Sequence, residues 1–342
     1  MASLLARAEC ARGTLRVCLA ALLPCAGCLA RDAPIVVESA PSKVSTTRVA
    51  ELGPRGFDPA TDCQWPLVFE DSALAAGVDR AIQDATPPNT VVEPASAAAL
   101  ERLGAEGARS LRGIECLTGL RLAALMRSEL SDLTPLASLG ALQKLYLGSN
   151  ALEDLSPLAQ LTQLRVLDLS DNRVRNLSAL ASLTRLQRLD LCDNEVEDLA
   201  PLSGLSQLVF LKACNNHIED LGPLVGLQRL SVVALDGNHV RDIAPLATLP
   251  QLVNVSLSHN RIEDLGPLSN ARRLQRLFLV GNRIADLAPL LLLPELKSVV
   301  VHPLAGGREA IDNPIDCAAQ AETLQALWER DVNMTVDCPV GG

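Results

Sequence analysis

The chain has 342 residues, is 48% hydrophobic but only 2% aromatic, and carries a formal net charge of −10. That length holds a large core, and aliphatic side chains rather than rings must fill it. An acidic chain with few lysines (Lys43, Lys144, Lys212 and Lys297) and no clustered basic face argues against nucleic acid as a partner.

Residues 1–27 read as an export signal. Arg7, Arg12 and Arg16 form a positive start, followed by a short apolar run from Val17 to Leu23. That run falls short of the roughly 20 residues a membrane span needs. The next residues, Cys25-Ala26-Gly27-Cys28, resemble the bacterial lipobox, which implies Cys28 as the lipidated first residue of the mature chain. Cys25 departs from the pattern, which has an aliphatic residue there. Ordinary cleavage after Ala30, releasing a secreted protein, is the alternative. Both readings take the chain out of the cytosol, the first as a cell-envelope lipoprotein on a periplasmic or surface face.

Residues 28–62 lack sustained periodicity and read as a flexible tether, with a reach of about 100 Å at roughly 3.3 Å per residue. Residues 63–110 read as a helical N-terminal cap. Asp71 and Ser72 start a helix in which Leu74, Val78, Ala81 and Ile82 share a face, and Pro87-Pro88-Asn89 stops it. A second helical piece is expected over 95–103, feeding a partial repeat that ends at Ile114.

Residues 111–304 are a repeat array. From Leu117 the same pattern restarts at Leu139, Leu161, Leu183, Leu205, Leu227, Leu249, Ala271 and Leu293, every 22 residues. The copy LTRLQRLDLCDNEVEDLAPLS, from Leu183 to Ser203, is typical. Such a period predicts a solenoid whose coils stack to share one core. Leu189 and Leu191 alternate as a short strand requires, while Leu186, Val196, Leu199 and Leu202 turn the chain around the same interior. Asn150, Asn172, Asn194, Asn216, Asn238, Asn260 and Asn282 recur where the chain leaves the strand. There an amide can satisfy backbone groups and stack as a ladder. Ser128 takes that slot in the first copy, and Leu304 in the ninth.

Asp132, Asp154, Asp198, Asp220, Asp242, Asp264 and Asp286 form a second ladder, with Asn176 in the remaining copy. A proline stands three residues after each aspartate, and Ala179 replaces it after Asn176. This spacing predicts capped 3₁₀ turns on the outer arc. Much of the acidity is therefore capping rather than evidence of a basic ligand.

These copies resemble the 22-residue leucine-rich repeats of the bacterial internalin family, and those of a eukaryotic regulatory subunit of protein phosphatase 1. The run from Ser110 to Leu120 is similar to the internalin entry into the first repeat, and the resemblance extends from about Phe69 to Leu304. It implies an α/β solenoid, a horseshoe or arc with short parallel strands on the concave face and 3₁₀ turns on the convex face. It says little of the ligand, since such arrays bind unrelated partners.

Residues 305–342 read as a C-terminal cap, with a helix over about 318–330 and a strand over 332–336. The unit resembles the cysteine-bounded caps of extracellular repeat proteins. That resemblance implies a Cys317–Cys338 disulfide, worth on the order of 3 kcal/mol for a loop of about 20 residues. Cys192 and Cys214 share one slot in neighbouring copies. Side chains on adjacent parallel strands point the same way, so a pair of free thiols and a labile bridge both remain open. For Cys63 and Cys116, only the even count suggests pairing.

The sequence offers no catalytic residues, no metal-binding motif, and no motif for a cofactor or small-molecule substrate. His217 and His239 share a slot and should stack on adjacent coils. His259 and His302 lie elsewhere, and the histidines near Cys192 and Cys214 occupy a different position in the repeat, which argues against a zinc site. The informative surface is the concave face, whose outward slots the repeat leaves free. Candidate ligand-binding residues there are Tyr146, Asp168, Asp171, Arg188, Asp190, Asp193, Phe210, Lys212 and Phe278. Asp168 should face Asp190, a repulsive pairing that suits a basic protein segment or Ca²⁺, or else a solvated network with Arg188 and Lys212. Phe210 is expected to be an exposed aromatic anchor. The expected function is protein–protein recognition without catalysis, and the alternative is a structural or adhesive spacer of the envelope.

Overall fold

In the computed structural model the described residues are 63, 69, 71–85, 99–302 and 313–336, with side chains left out over 82–85. The signal and tether expected over 1–62, Cys28 included, lie outside this set, and Cys338 does as well. Among the described residues no helix is long and apolar enough to cross a membrane.

Eleven short strands form one parallel sheet in chain order. They are β1 (Arg102–Gly104), β2 (Leu122–Ala124), β3 (Lys144–Tyr146), β4 (Val166–Asp168), β5 (Arg188–Asp190), β6 (Phe210–Lys212), β7 (Val232–Ala234), β8 (Asn254–Ser256), β9 (Arg276–Phe278), β10 (Ser298–Val300) and β11 (Asn333–Thr335). From β2 to β10 each residue pairs with its repeat-mate, as Leu167 does with Leu189 and Leu189 with Leu211. The leucines of every coil line one continuous core. This is the leucine-rich repeat solenoid that the periodicity predicts.

The two side-chain ladders explain why each coil turns where it does. Asn238 is representative: its Nδ2 donates to Ala213 O at 2.8 Å and Leu235 O at 3.0 Å, and its Oδ1 accepts from Ile218 N at 3.0 Å. One amide thus satisfies three backbone groups on two neighbouring coils, in a place where an unmade hydrogen bond is costly. The residue before each ladder asparagine is left-handed, with φ of 54° at Asp171, 58° at Asp193 and 67° at Gly237. On the outer arc each aspartate, or Asn176, accepts the N–H two residues on at 2.7–2.9 Å. The acceptor stands one residue ahead of the 3₁₀ segment's own cap, so it closes an Asx turn that leads the chain into the segment. The Ser156 N–H and hydroxyl hold the Asp154 carboxyl below its ordinary range.

The ends depart from expectation in instructive ways. Helix α1 (Ser72–Ala85) begins as predicted, with Asp71 Oδ1 accepting from Ala73 N at 2.8 Å and Leu74 N at 2.9 Å. Asp71 Oδ2 also accepts from Arg109 N at 2.7 Å, tying the helix start to the array. Gly77 lets the helix ride on β1, since a Cβ there would lie 2.6 Å from Gly104 O. The second helix expected over 95–103 is a correction: of that stretch the described residues are a turn and then strand β1. Leu103 is buried, and it pairs with Ala123, so its place in the sheet overrides the helical composition around it.

At the far end the ladder does not stop where Leu304 replaces asparagine. Asn313 supplies the missing amide, donating to Leu279 O and Val301 O at 2.8 Å each and accepting from Ile284 N at 2.9 Å. Helix α2 (Ala321–Glu329) and β11 follow, close to the expected positions. Cys317 is disulfide-bonded. Cys63 and Cys116 form a disulfide across a separation of 53 residues, worth on the order of 4 kcal/mol in the chain-entropy picture. Cys192 and Cys214 are free and buried.

Candidate recognition surface

The outward slots of β3 to β9 form two columns on the concave face, because side chains alternate along each strand. One column runs through Tyr146, Asp168, Asp190, Lys212, Ala234, Ser256 and Phe278, each paired in register with the next. The neighbouring column includes Arg188 and Phe210, likewise paired.

Asp168 faces Asp190 as the sequence predicts, but the two carboxylates find different partners. Asp168 Oδ1 accepts from Ser170 N at 2.9 Å and Ser170 Oγ at 2.7 Å. Asp190 Oδ1 accepts from Cys192 N at 3.1 Å, and its Oδ2 lies 3.7 Å from Lys212 Nζ. Burial pushes the Asp190 carboxyl up from its ordinary value; the Cys192 N–H and Lys212 oppose that, and Asp168 adds to it. Among the described residues no group of three or more His, Cys, Asp or Glu is placed to hold a metal ion.

Phe210 is a correction. It is only 7% exposed, not an open aromatic anchor. The Arg188 guanidinium lies 4.1 Å above the ring centroid, and the Lys212 ammonium lies 5.6 Å from it. The ring is a platform that orders two cations beside the acidic pair. Tyr146 and Phe278 are half-buried, while Asp171 and Asp193 are exposed at the left-handed slot. Asn215 Nδ2 donates to Asp193 Oδ1 at 2.7 Å, so the rim is held across coils too. The structure therefore joins Asp168, Arg188, Asp190, Phe210 and Lys212 into one cluster. Tyr146 pairs with Asp168 at one edge of that cluster, and Phe278 stands three coils beyond Lys212 along the same column.

One residue in the slots after the strand is buried rather than open. Asp236 occupies the slot of Cys192, Cys214 and Ser258, one position ahead of the left-handed turn, and it is only 6% exposed. Its Oδ1 accepts from Ser256 Oγ at 2.6 Å and from Ser258 N at 2.9 Å, yet its Oδ2 is buried without a hydrogen-bond partner. Burial raises its pKa, against those two serines. The only signal in the sequence was a charged residue in a slot otherwise filled mostly by small ones. His217 and His239 stack at 5.8 Å between centroids, as their shared slot predicts.

Comparison with known proteins bears on the whole array. A family model for leucine-rich repeats (two copies) matches residues 140–182, 162–204 and 250–291. The internalin InlF of Listeria monocytogenes is 31% identical over 67% of this chain and 74% of its own, with a TM-score of 0.57. Internalin C2 of the same organism is 35% identical, over 62% of this chain and 94% of its own, at 0.59. The ectodomain of an Arabidopsis thaliana receptor kinase, solved with Casparian strip integrity factor 2, shares the fold at 23% identity, 61% and 28% coverage and a TM-score of 0.53. No curated protein sequence matches the chain.

Proposed function

Because this chain belongs to the internalin family of leucine-rich repeat proteins, we propose that it is a non-enzymatic recognition module that binds another protein through its concave face. The observation that carries this reading is how the repeat spends its polar groups. The asparagine and aspartate ladders are consumed by backbone N–H and C=O groups, coil after coil. The concave columns differ from coil to coil: they hold the Asp168–Asp190 pair and two cations ordered on Phe210, and the buried Asp236 carboxylate lies in the slot that follows the strand. Charge that varies from coil to coil beside an ordered ring is the chemistry of an interface centre, and it suits a partner segment carrying basic side chains. Catalysis, a cofactor, a small-molecule substrate and nucleic acid are not part of the reading.

The module is displayed in the bacterial cell envelope, held by a lipid on Cys28 at the end of the tether. Labelling with a radioactive fatty acid tests that part: wild type is expected to take up label and fractionate with membranes, and Cys28→Ser to do neither. Label on Cys28→Ser would remove the anchor from the account.

Crosslinking capture from the parent cell's surroundings tests the recognition reading, using the full chain and two variants. Tyr146→Ala with Asp168→Lys alters the concave columns; Val225→Lys alters an exposed side chain on a 3₁₀ turn. A partner held by wild type and Val225→Lys, and lost by the concave variant, is the expected result. Equal capture by all three would favour the spacer.

A further inference from the structure

Cys192 and Cys214 stand one residue beyond the buried Leu191 and Ala213 of neighbouring coils, and both are free and buried. The Cys214 N–H donates to Cys192 Sγ at 3.1 Å, and Cys214 Sγ donates to Ala234 O at 3.9 Å. Packing does not explain the sulfur. Gly148, Ser170, Asp236 and Ser258 fill the same slot in other coils, and Ser258 is as buried as either thiol.

The geometry of stacked coils decides what two such thiols can do. Neighbouring strands lie about 4.7–4.9 Å apart, and in-register side chains on them run parallel. A disulfide wants its Cβ atoms about 3.8 Å apart, so closing one would pull the coils together. Two bonds of roughly 2.3 Å to a single ion placed between the sulfurs span that gap without moving the backbone. Zinc would need further ligands, and among the described residues no third His, Cys, Asp or Glu completes a metal cluster. Soft thiolates with only two ligands available select monovalent copper.

We propose that Cys192 and Cys214 form a two-thiolate site for a soft monovalent ion, Cu(I), bridging two coils at the concave face. Binding exchanges two S–H bonds for two Cu–S bonds and releases two protons to solvent; no electron moves. The product carries one negative charge, and Lys212, on the same face two residues before Cys214, offsets it. Ligation must displace both thiol protons, so the site favours an ion with a strong affinity for sulfur. The site would share the concave face with the recognition surface but does not depend on it.

The test is an anaerobic titration of the reduced full chain with Cu(I) presented by a chromophoric chelator. Cys10, Cys18, Cys25 and Cys28 are retained throughout, so only differences between variants count. Wild type is expected to hold one equivalent more than Cys192→Ser, Cys214→Ser or the double variant, and those three to be equal, because one thiol alone does not hold the ion. Equal loading of wild type and the double variant overturns the site. A graded loss, half for each single variant, overturns it too, since it marks independent thiols. Serine is native to this slot, and melting curves of the copper-free variants confirm that they fold. The copper X-ray absorption edge gives the second readout: wild type minus double variant should show two-coordinate copper, and a three- or four-coordinate difference sinks the geometry.

Discussion

The asparagine ladder and the concave column share one period and lie within a few residues of each other, yet they behave as opposites. In the ladder, Asn216, Asn238, Asn260 and Asn282 are buried, and their amides bond to backbone groups on neighbouring coils. In the column, Asp190, Lys212, Ala234 and Ser256 differ at every step, and none is needed to close a coil. What repeats in this molecule holds the coil, and what fails to repeat is free to address something outside it. If that division is right, substitutions should damage stability in proportion to how many backbone groups a side chain serves.

The largest effect should come from Asn238→Ala. It leaves Ile218 N and Ala213 O without their partner in the interior, while Leu235 O keeps the Asn260 Nδ2 donor at 2.8 Å. An unsatisfied buried polar group costs about 1–3 kcal/mol, and partial relaxation makes ~3 kcal/mol the expected total. Urea unfolding followed by circular dichroism would show it as a lower midpoint. Because coils are stabilised by their neighbours, the transition should also broaden as the array divides at that coil. A loss below ~1 kcal/mol would mean that water replaces the amide and that the ladder is decoration.

How far the sequence reveals each part follows from the same division. The coil repeat, the ladders and the 3₁₀ turns depend on residues within one period, so their spacing announces them. Asn313 was invisible as a ladder member because it reaches the slot through a longer excursion of chain, which only the fold brings back. Strand β1 was hidden similarly: Arg102 pairs with Leu122, a register that breaks the 22-residue step. On the concave face, alternation tells which side chains point outward but not which of them cover one another. Phe210 therefore read as exposed, although Arg188 and Lys212 on and beside it leave little of the ring open. Asp236 carried no spacing signal at all, since its difference from Cys214 and Ser258 lies in burial and unmet hydrogen bonding.

Asp236 gives an intermediate test, because here a concave residue has a price in stability. Its folded pKa lies above the ordinary 3.8, so the folded chain holds this proton more tightly than the unfolded chain does. The stability that this preference contributes is fully present below pH 3.8 and is lost as pH rises through the folded value. Asp236→Asn keeps an oxygen for Ser256 and Ser258 and removes the buried charge. At neutral pH it should raise stability by ~1 kcal/mol, the low end of the penalty for an unsatisfied buried polar atom, and the gain should vanish towards pH 4. Thermal melts of both proteins across pH 4–8 would show the two midpoints converging at the acid end. A gain that persisted there would place the effect in packing rather than charge.

The smallest effect belongs to the outer arc, where a ladder residue serves one backbone group in contact with water. Asp242 Oδ1 accepts only from Ala244 N, at 2.8 Å. Asp242→Ala should cost about 1 kcal/mol or less, the usual loss for a removed capping acceptor, because solvent can replace it. Asp242→Asn separates the two ways an aspartate could act there. Asn176 already makes the same bond to Ser178 N at 2.9 Å with a neutral amide. If geometry is what matters, Asp242→Asn melts with wild type in low and high salt alike, and Asp242→Ala alone is weakened. A loss in Asp242→Asn that disappears in high salt would instead assign the stabilisation to charge at the start of the turn. The acidity of this array would then be a property selected for its own sake, not a by-product of the residue that best closes an Asx turn.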